Sequence, residues 1–131
     1  MGLTPVGRPR RAEWAGPPFT DAVRRVRREV YEVLTRWRLP AEAVEDAALV
    51  VAELLANVVD HARTTFRLVI ELRGRLLRIA VDDGLRGAAP TRSAPAVAGH
   101  ISGLQVVNRL ALRWGWQETD TGKTVWAEFF S

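Results

Sequence analysis

The chain has 131 residues, 47% of them apolar and 26% charged, which fits one domain with a hydrophobic core of its own. It has no cysteine, so disulfides, zinc–thiolate sites and cysteine nucleophiles are excluded, and it lacks the run of about eighteen apolar residues that a membrane-spanning helix needs. The net charge of +4 comes almost wholly from arginine, Lys123 being the only lysine; so even a bias reads as genome composition rather than as a surface built for phosphates, and nucleic-acid binding is not expected.

Residues 1–18 read as a tail, with a short edge strand around Arg11 to Ala15 before the Gly16-Pro17-Pro18 break. Met1 to Arg11 is rich in Pro, Gly and Arg and has no apolar segment, so it is not a secretory signal, and a cytoplasmic protein is expected. Residues 19–131 form the single domain. Thr20 or Asp21 can cap a first helix, in which Val23, Val26, Val30, Val33, Leu34 and Trp37 recur at helical spacing. Arg24, Arg25, Arg27 and Arg28 fall mainly on its other side, as a solvated face or a partner surface. Leu39-Pro40 ends this helix and Pro40 or Ala41 starts the next, with Glu42, Glu45 and Asp46 near its positive end. Its continuation, Ala47 to Ala62, is apolar on nearly every side and reads as a buried helix.

Two strands follow. Phe66, Leu68, Ile70 and Leu72 share one parity, as do Leu77, Ile79 and Val81, and Arg73-Gly74-Arg75 makes the hairpin between them. Gly84 to Ser102 is aperiodic, and a loop of that length is uncommon in a compact domain unless it is functional. A helix over roughly Leu104 to Leu110, capped by Ser102 or Gly103, precedes two last strands near Leu112 to Glu118 and Thr124 to Phe130. This order predicts an α/β (α+β) two-layer sandwich, with helices on one face of a mixed, mostly antiparallel sheet.

Glu53, Asn57 and His61 stand at i, i+4 and i+8 on the buried helix and so share one stripe. An unsatisfied buried polar group costs about 1–3 kcal/mol and a buried charge costs more. These side chains therefore either cap other backbone groups or face a polar cavity. In a cavity, the Asn57 amide oxygen is a neutral hard ligand suited to magnesium, and the Glu53 carboxylate can take a proton from water or an alcohol. His61, a turn further on, reads as a helix-end or packing residue.

The parity of Leu77, Ile79 and Val81 continues into Asp83. Its carboxylate can accept a hydrogen bond from an exocyclic amine such as that of adenine, or it can serve an Asp83-Gly84 turn. Gly99-His100-Ile101-Ser102-Gly103-Leu104 opens the third helix, where glycines let backbone N–H groups approach phosphates and His100 is the better placed of the two histidines for phosphate contact. Gly122-Lys123-Thr124 is not a phosphate loop. Gln117 stands where the required first glycine belongs, and a strand follows instead of a helix.

Together these pieces resemble the superfamily of gyrase, MutL, histidine-kinase catalytic domains and anti-sigma-factor serine kinases. Glu53-Leu54-Leu55-Ala56-Asn57-Val58-Val59-Asp60-His61-Ala62 is similar to its N box. Val81-Asp82-Asp83-Gly84-Leu85-Arg86-Gly87 is similar to the first glycine box, and Gly99 to Val107 to the second. The closing hairpin is matched by Gly122-Lys123-Thr124-Val125-Trp126-Ala127-Glu128-Phe129. The resemblance implies the histidine kinase-like ATPase (Bergerat) fold with ATP and magnesium as ligands. It implies that Asn57 holds magnesium, Glu53 is the general base and Asp83 binds the adenine amine. Gly87 would approach the adenine pocket, Gly99, Gly103 and Leu104 would shape the phosphate end and its lid, and His100 and Thr124 complete the ATP-binding set. Three departures stand out. Leu85 replaces a glycine of the first box, Asp60 puts a carboxylate where several relatives carry a basic or amide residue, which would weaken phosphate binding, and the second box is less glycine-rich than in histidine kinases. Asp82 would replace Asp83 if the register slipped by one, but strand parity favours Asp83.

A histidine kinase needs a dimerising helical hairpin and a gyrase or MutL relative needs a transducer domain. Neither is expected here, so the resemblance narrows to the anti-sigma-factor serine kinases and their actinobacterial relatives. It implies serine/threonine phosphotransfer to an anti-anti-sigma protein, with a sigma factor as second partner and a homodimer as the assembly often met in that family. The alternative is an ATP-dependent binding module that transfers nothing.

Overall fold

The computed structural model describes residues 8–87 and 103–131. In chain order its elements are β1 (Arg10–Gly16), α1 (Thr20–Arg36), α2 (Ala41–Asn57) continued by a turn of π-helix (Val58–Ala62), β2 (Phe66–Arg73), β3 (Leu76–Asp83), α3 (Gly103–Leu110), β4 (Arg113–Glu118) and β5 (Lys123–Phe130). The strands form one sheet in the order β1-β2-β3-β5-β4, and no parallel ladder occurs among the described residues. Among the described residues the sheet is antiparallel throughout, in line with the mostly antiparallel sheet expected, and the edge strand anticipated near the N-terminus is β1, paired to β2.

Alternation along each strand decides what the helices cover. Residues opposite one another in the register share a face. Leu68 faces Val81, Ile70 faces Ile79, and Ile79 in turn faces Ala127 of β5. All of these lie on the helix side and are buried. The other face carries ion pairs and a stacked cation: Glu13 with Arg67, Arg78 and Arg113 with Glu128, and the Arg78 guanidinium 4.8 Å from the Trp126 ring centre.

Helix α1 contributes Val26, Val30 and Leu34 to the core at the predicted spacing. Its start differs from expectation. Phe19 occupies the N-cap with no side-chain hydrogen bond, and Thr20 is already helical. Its end is closed by backbone alone. Arg38 takes a left-handed conformation (φ 62°), Leu39 N–H reaches Leu34 C=O, and Leu39 is buried beneath it. Helix α2 lies across the sheet between α1 and α3, in contact with β3 and β5. It buries Val44, Ala47, Val50, Val51, Leu54 and Leu55, each worth up to about 1.5–3 kcal/mol for the larger side chains. The Trp114 indole N–H donates to the side-chain Oδ1 of Asn108 at 3.0 Å and ties α3 to β4.

One close approach holds the end of β3 where the site lies. A Cβ on Gly122 would stand 1.8 Å from the carbonyl oxygen of Asp83 and 2.7 Å from Gly84 Cα. Backbone cannot yield as a side chain does, so Gly122→Ala should push the β4–β5 turn off Asp83. The expected loss is about 1–3 kcal/mol, read as a lower urea midpoint with an unchanged denaturant slope.

Candidate nucleotide site

Glu53 and Asn57 sit on the last turns of α2, one helical turn apart on a stripe of half-buried positions. The chain puts them there because their neighbours Leu54, Leu55 and Val58 are drawn into the core and leave this stripe as the remaining face. Burial raises the Glu53 carboxyl above its ordinary value, with the Arg27 guanidinium of α1 opposing the rise. The Asn57 amide nitrogen is buried and has no acceptor among the described residues. Neither side chain has a hydrogen bond to another element among the described residues, and neither lines the grooves described below.

The π-turn changes the rest of the stripe. From Val58 the helix widens, Arg63 N–H returns to Val58 C=O at 2.7 Å, and Arg63 closes it in a left-handed conformation. The i+4 spacing that aligns Asn57 with Glu53 no longer holds for His61, which is exposed, as is Asp60. His61 therefore leaves the polar stripe on which its spacing had placed it.

At the other end of the site, Asp83 closes β3 on the helix-facing side, as its parity predicts. Its Oδ1 accepts the Leu85 N–H at 2.9 Å, so the carboxylate does serve the turn. Its Oδ2 lies 2.8 Å from Lys123 Nζ, with both side chains almost fully buried. Asp82 faces the opposite side, where its Oδ1 accepts the Thr124 hydroxyl at 2.6 Å and Arg67 stands 3.7 Å away. Thr124 is thus separated by the sheet from Asp83, and Lys123 holds the inward place. Gly87, at φ 80°, donates its N–H to Glu118 Oε1 at 2.6 Å, and Gly84 N–H donates to the Thr64 hydroxyl. Leu104 is buried in the first turn of α3, which Gly103 opens. Gly99 and His100 lie outside the described residues. A groove of about 770 Å³ opens at this corner between Gly16, Phe66, Asp83, Gly84 and Thr121. Another of the same volume, between α1 and α2, is lined by Arg24, Arg27, Tyr31, Glu45 and Leu49, and neither groove is lined by Glu53 or Asn57. The first borders the end of β3, at Asp82, Asp83 and Gly84.

A helix bearing a polar stripe, laid on an antiparallel sheet whose middle strand ends in a buried aspartate, is matched by one family model. It is described as the histidine kinase-like ATPase domain and covers residues 17–129. The chain belongs to this family. Among solved structures it is similar to the RsbU and RsbW domains of Rv1364c from Mycobacterium tuberculosis, with a TM-score of 0.72, 16% identity and 92% of this chain covered. It spans 32% of that chain, and at this identity the likeness is one of fold. No curated protein sequence matches it significantly. Among the described residues no helix is long and apolar enough to cross a membrane.

Within a histidine kinase-like ATPase domain the residues can be tested against ATP and magnesium. No three His, Cys, Asp or Glu side chains among the described residues converge to hold a metal by themselves. A magnesium ion would then need the neutral Asn57 oxygen together with oxygens from phosphate and water, its usual manner of binding. The orphaned Asn57 nitrogen agrees with this, because a phosphate oxygen would supply the acceptor it lacks. Lys123 escaped the motif reading. The parity of Phe129, Ala127 and Val125 runs straight into it, by the argument that placed Asp83.

Raising the Glu53 carboxyl on folding means that the folded state holds the proton more tightly than the unfolded one. Its contribution is fully present below the unfolded value and is lost as pH rises through the folded value. Glu53→Gln keeps the neutral shape, so it should match the wild type in acid and become the more stable protein toward neutral pH. Thermal unfolding from about pH 3 to about pH 8 reads this, and a constant offset between the two curves would contradict it.

Proposed function

We propose that this chain binds ATP with magnesium and passes the γ-phosphoryl group to a serine of a protein partner, as a cytoplasmic regulator of the anti-sigma-factor kinase type. The observation that carries the reading is the pair on α2: a half-buried carboxyl raised by its surroundings, one turn from an amide whose nitrogen has no acceptor among the described residues. In this reading Asn57 would hold magnesium, which when bound would neutralise charge on the phosphate oxygens. Glu53 would accept the proton of the serine hydroxyl as that oxygen bonds to the γ-phosphorus and the bond to ADP breaks. A carboxyl with a raised value is a better base than an exposed one, provided that it is ionised at the working pH. Asp83 and Gly87 would border the adenine, and Gly103 and Leu104 the phosphate end. A sigma factor and an anti-anti-sigma protein are the partner classes that the sequence resemblance supports, and the arginines of α1 offer them a charged surface.

Two substitutions separate the roles. Asn57→Ala should weaken ATP binding at least about tenfold with magnesium present and little without it, by calorimetric titration. Glu53→Gln should bind ATP as the wild type does, yet lose about 10²- to 10⁴-fold in transfer of label from γ-labelled ATP to the partner serine. Tight binding with no transfer by the wild type would instead leave an ATP-dependent binding module.

A further inference from the structure

The helix-facing side of the sheet is apolar along β2, β3 and β5 until it ends in one charged pair. Asp83 and Lys123 stand opposite each other in the β3–β5 register. Their side chains are 4% and 6% exposed, and the Nζ–Oδ2 distance is 2.8 Å. Taking two ions out of water costs several kcal/mol each, and apolar residues of similar volume would often serve stability as well or better. Fold stability alone therefore does not account for the pair.

The valences left over indicate what it can bind. An ammonium has three donors, and Asp83 is the acceptor that Lys123 meets among the described residues. Asp83 already takes the Leu85 N–H on Oδ1 and the ammonium on Oδ2, yet a carboxylate offers about four lone-pair sites. The pair thus holds a strong donor beside an acceptor at the end of an otherwise apolar face, and Asp83 borders the groove at this corner. The matching ligand edge carries an acceptor beside a donor, as adenine does with ring nitrogen N1 next to its exocyclic amine. Thr124, the residue that sequence resemblance put in the ATP-binding set, is bonded to Asp82 on the far side of the sheet.

We infer that Lys123 is the base-reading partner of Asp83: its ammonium donates to adenine N1 while Asp83 accepts the exocyclic amine. This rests on the ATP-binding reading above and adds a specificity-determining residue to it. Hydrogen bonds from a charged donor are the strong ones, so Lys123 should count heavily in the discrimination of bases.

The test separates the base from the phosphates by titrating ATP and inorganic tripolyphosphate, each with magnesium, into the wild type, Lys123→Met and the double variant Asp83→Asn with Lys123→Met. The double variant leaves no unpaired buried charge and keeps an amide oxygen as acceptor, so it covers the case in which Lys123→Met fails to fold; thermal unfolding confirms which proteins are folded. The expected result is a loss of about ten- to a hundredfold in ATP affinity for the folded variants, with tripolyphosphate affinity unchanged. Unchanged or tighter ATP binding would overturn the inference, the tighter result marking the pair as a plug rather than a reader. An equal loss for tripolyphosphate would also overturn it, by making Lys123 a scaffold residue. Unchanged ATP affinity in the variants, beside a wild type that binds ATP, removes the inference alone, whereas a wild type that binds tripolyphosphate but not ATP removes the ATP-binding reading as well. One that binds neither removes the nucleotide reading and the inference together.

Discussion

Helix α2 has almost no polar face, and the remainder of the domain is arranged around covering it. The sheet takes one side, α1 and α3 take the flanks, and fully buried Val50, Val51 and Leu55 meet the sheet's Leu68, Ile70 and Ile79 in one continuous core. What is left uncovered is a narrow stripe, and the polar residues of the helix lie on it. The position of Glu53 and Asn57 is thus a by-product of where the apolar side chains must go. Their electrostatics follow from the same packing: burial enough to raise a carboxyl, and too few acceptors for an amide.

The sheet separates two electrostatic regimes that differ by one residue of parity. Asp82 and Asp83 are neighbours in sequence, yet Asp82 joins Arg67, Glu13 and Thr124 on the solvent side. Exposed pairs of that kind contribute about 0–1 kcal/mol each and can be exchanged freely. Asp83 and Lys123 face the helices in low dielectric, where charges act strongly on one another and on anything that enters. Gly122 lets the β4–β5 turn lie against the end of β3, and so keeps Lys123 in register with Asp83.

Much of this was legible beforehand. The spacing of Val26, Val30 and Leu34 and the alternation through Leu68, Ile70, Ile79 and Val81 locate elements because each period belongs to one backbone geometry. The same alternation turned Asp83 inward. Other features escaped for physical reasons. The π-turn after Asn57 leaves no mark on apolar spacing, so His61 was placed on a stripe from which the wider helix removes it. The start of α1 uses Phe19 with no side-chain cap, although Thr20 and Asp21 are good capping types: the Phe19 N–H donates to Pro17 C=O and its own C=O accepts the Val23 N–H, so the helix begins one residue before either can cap it.

The amino-acid sequence by itself determined which residues are drawn to the core, which strand ends in a carboxylate, and that one amide and one carboxylate share a helical stripe. All of that is local, set by periods of a few residues. Only the tertiary structure decided what those groups meet. Lys123 lies about forty residues after Asp83, and nothing near either one specifies the partnership. It arises from the β3–β5 register, in which a slip of one residue would turn Thr124 inward and Lys123 out to solvent. Parity along a strand is a property of the chain, whereas pairing between strands is settled by the core that both must cover.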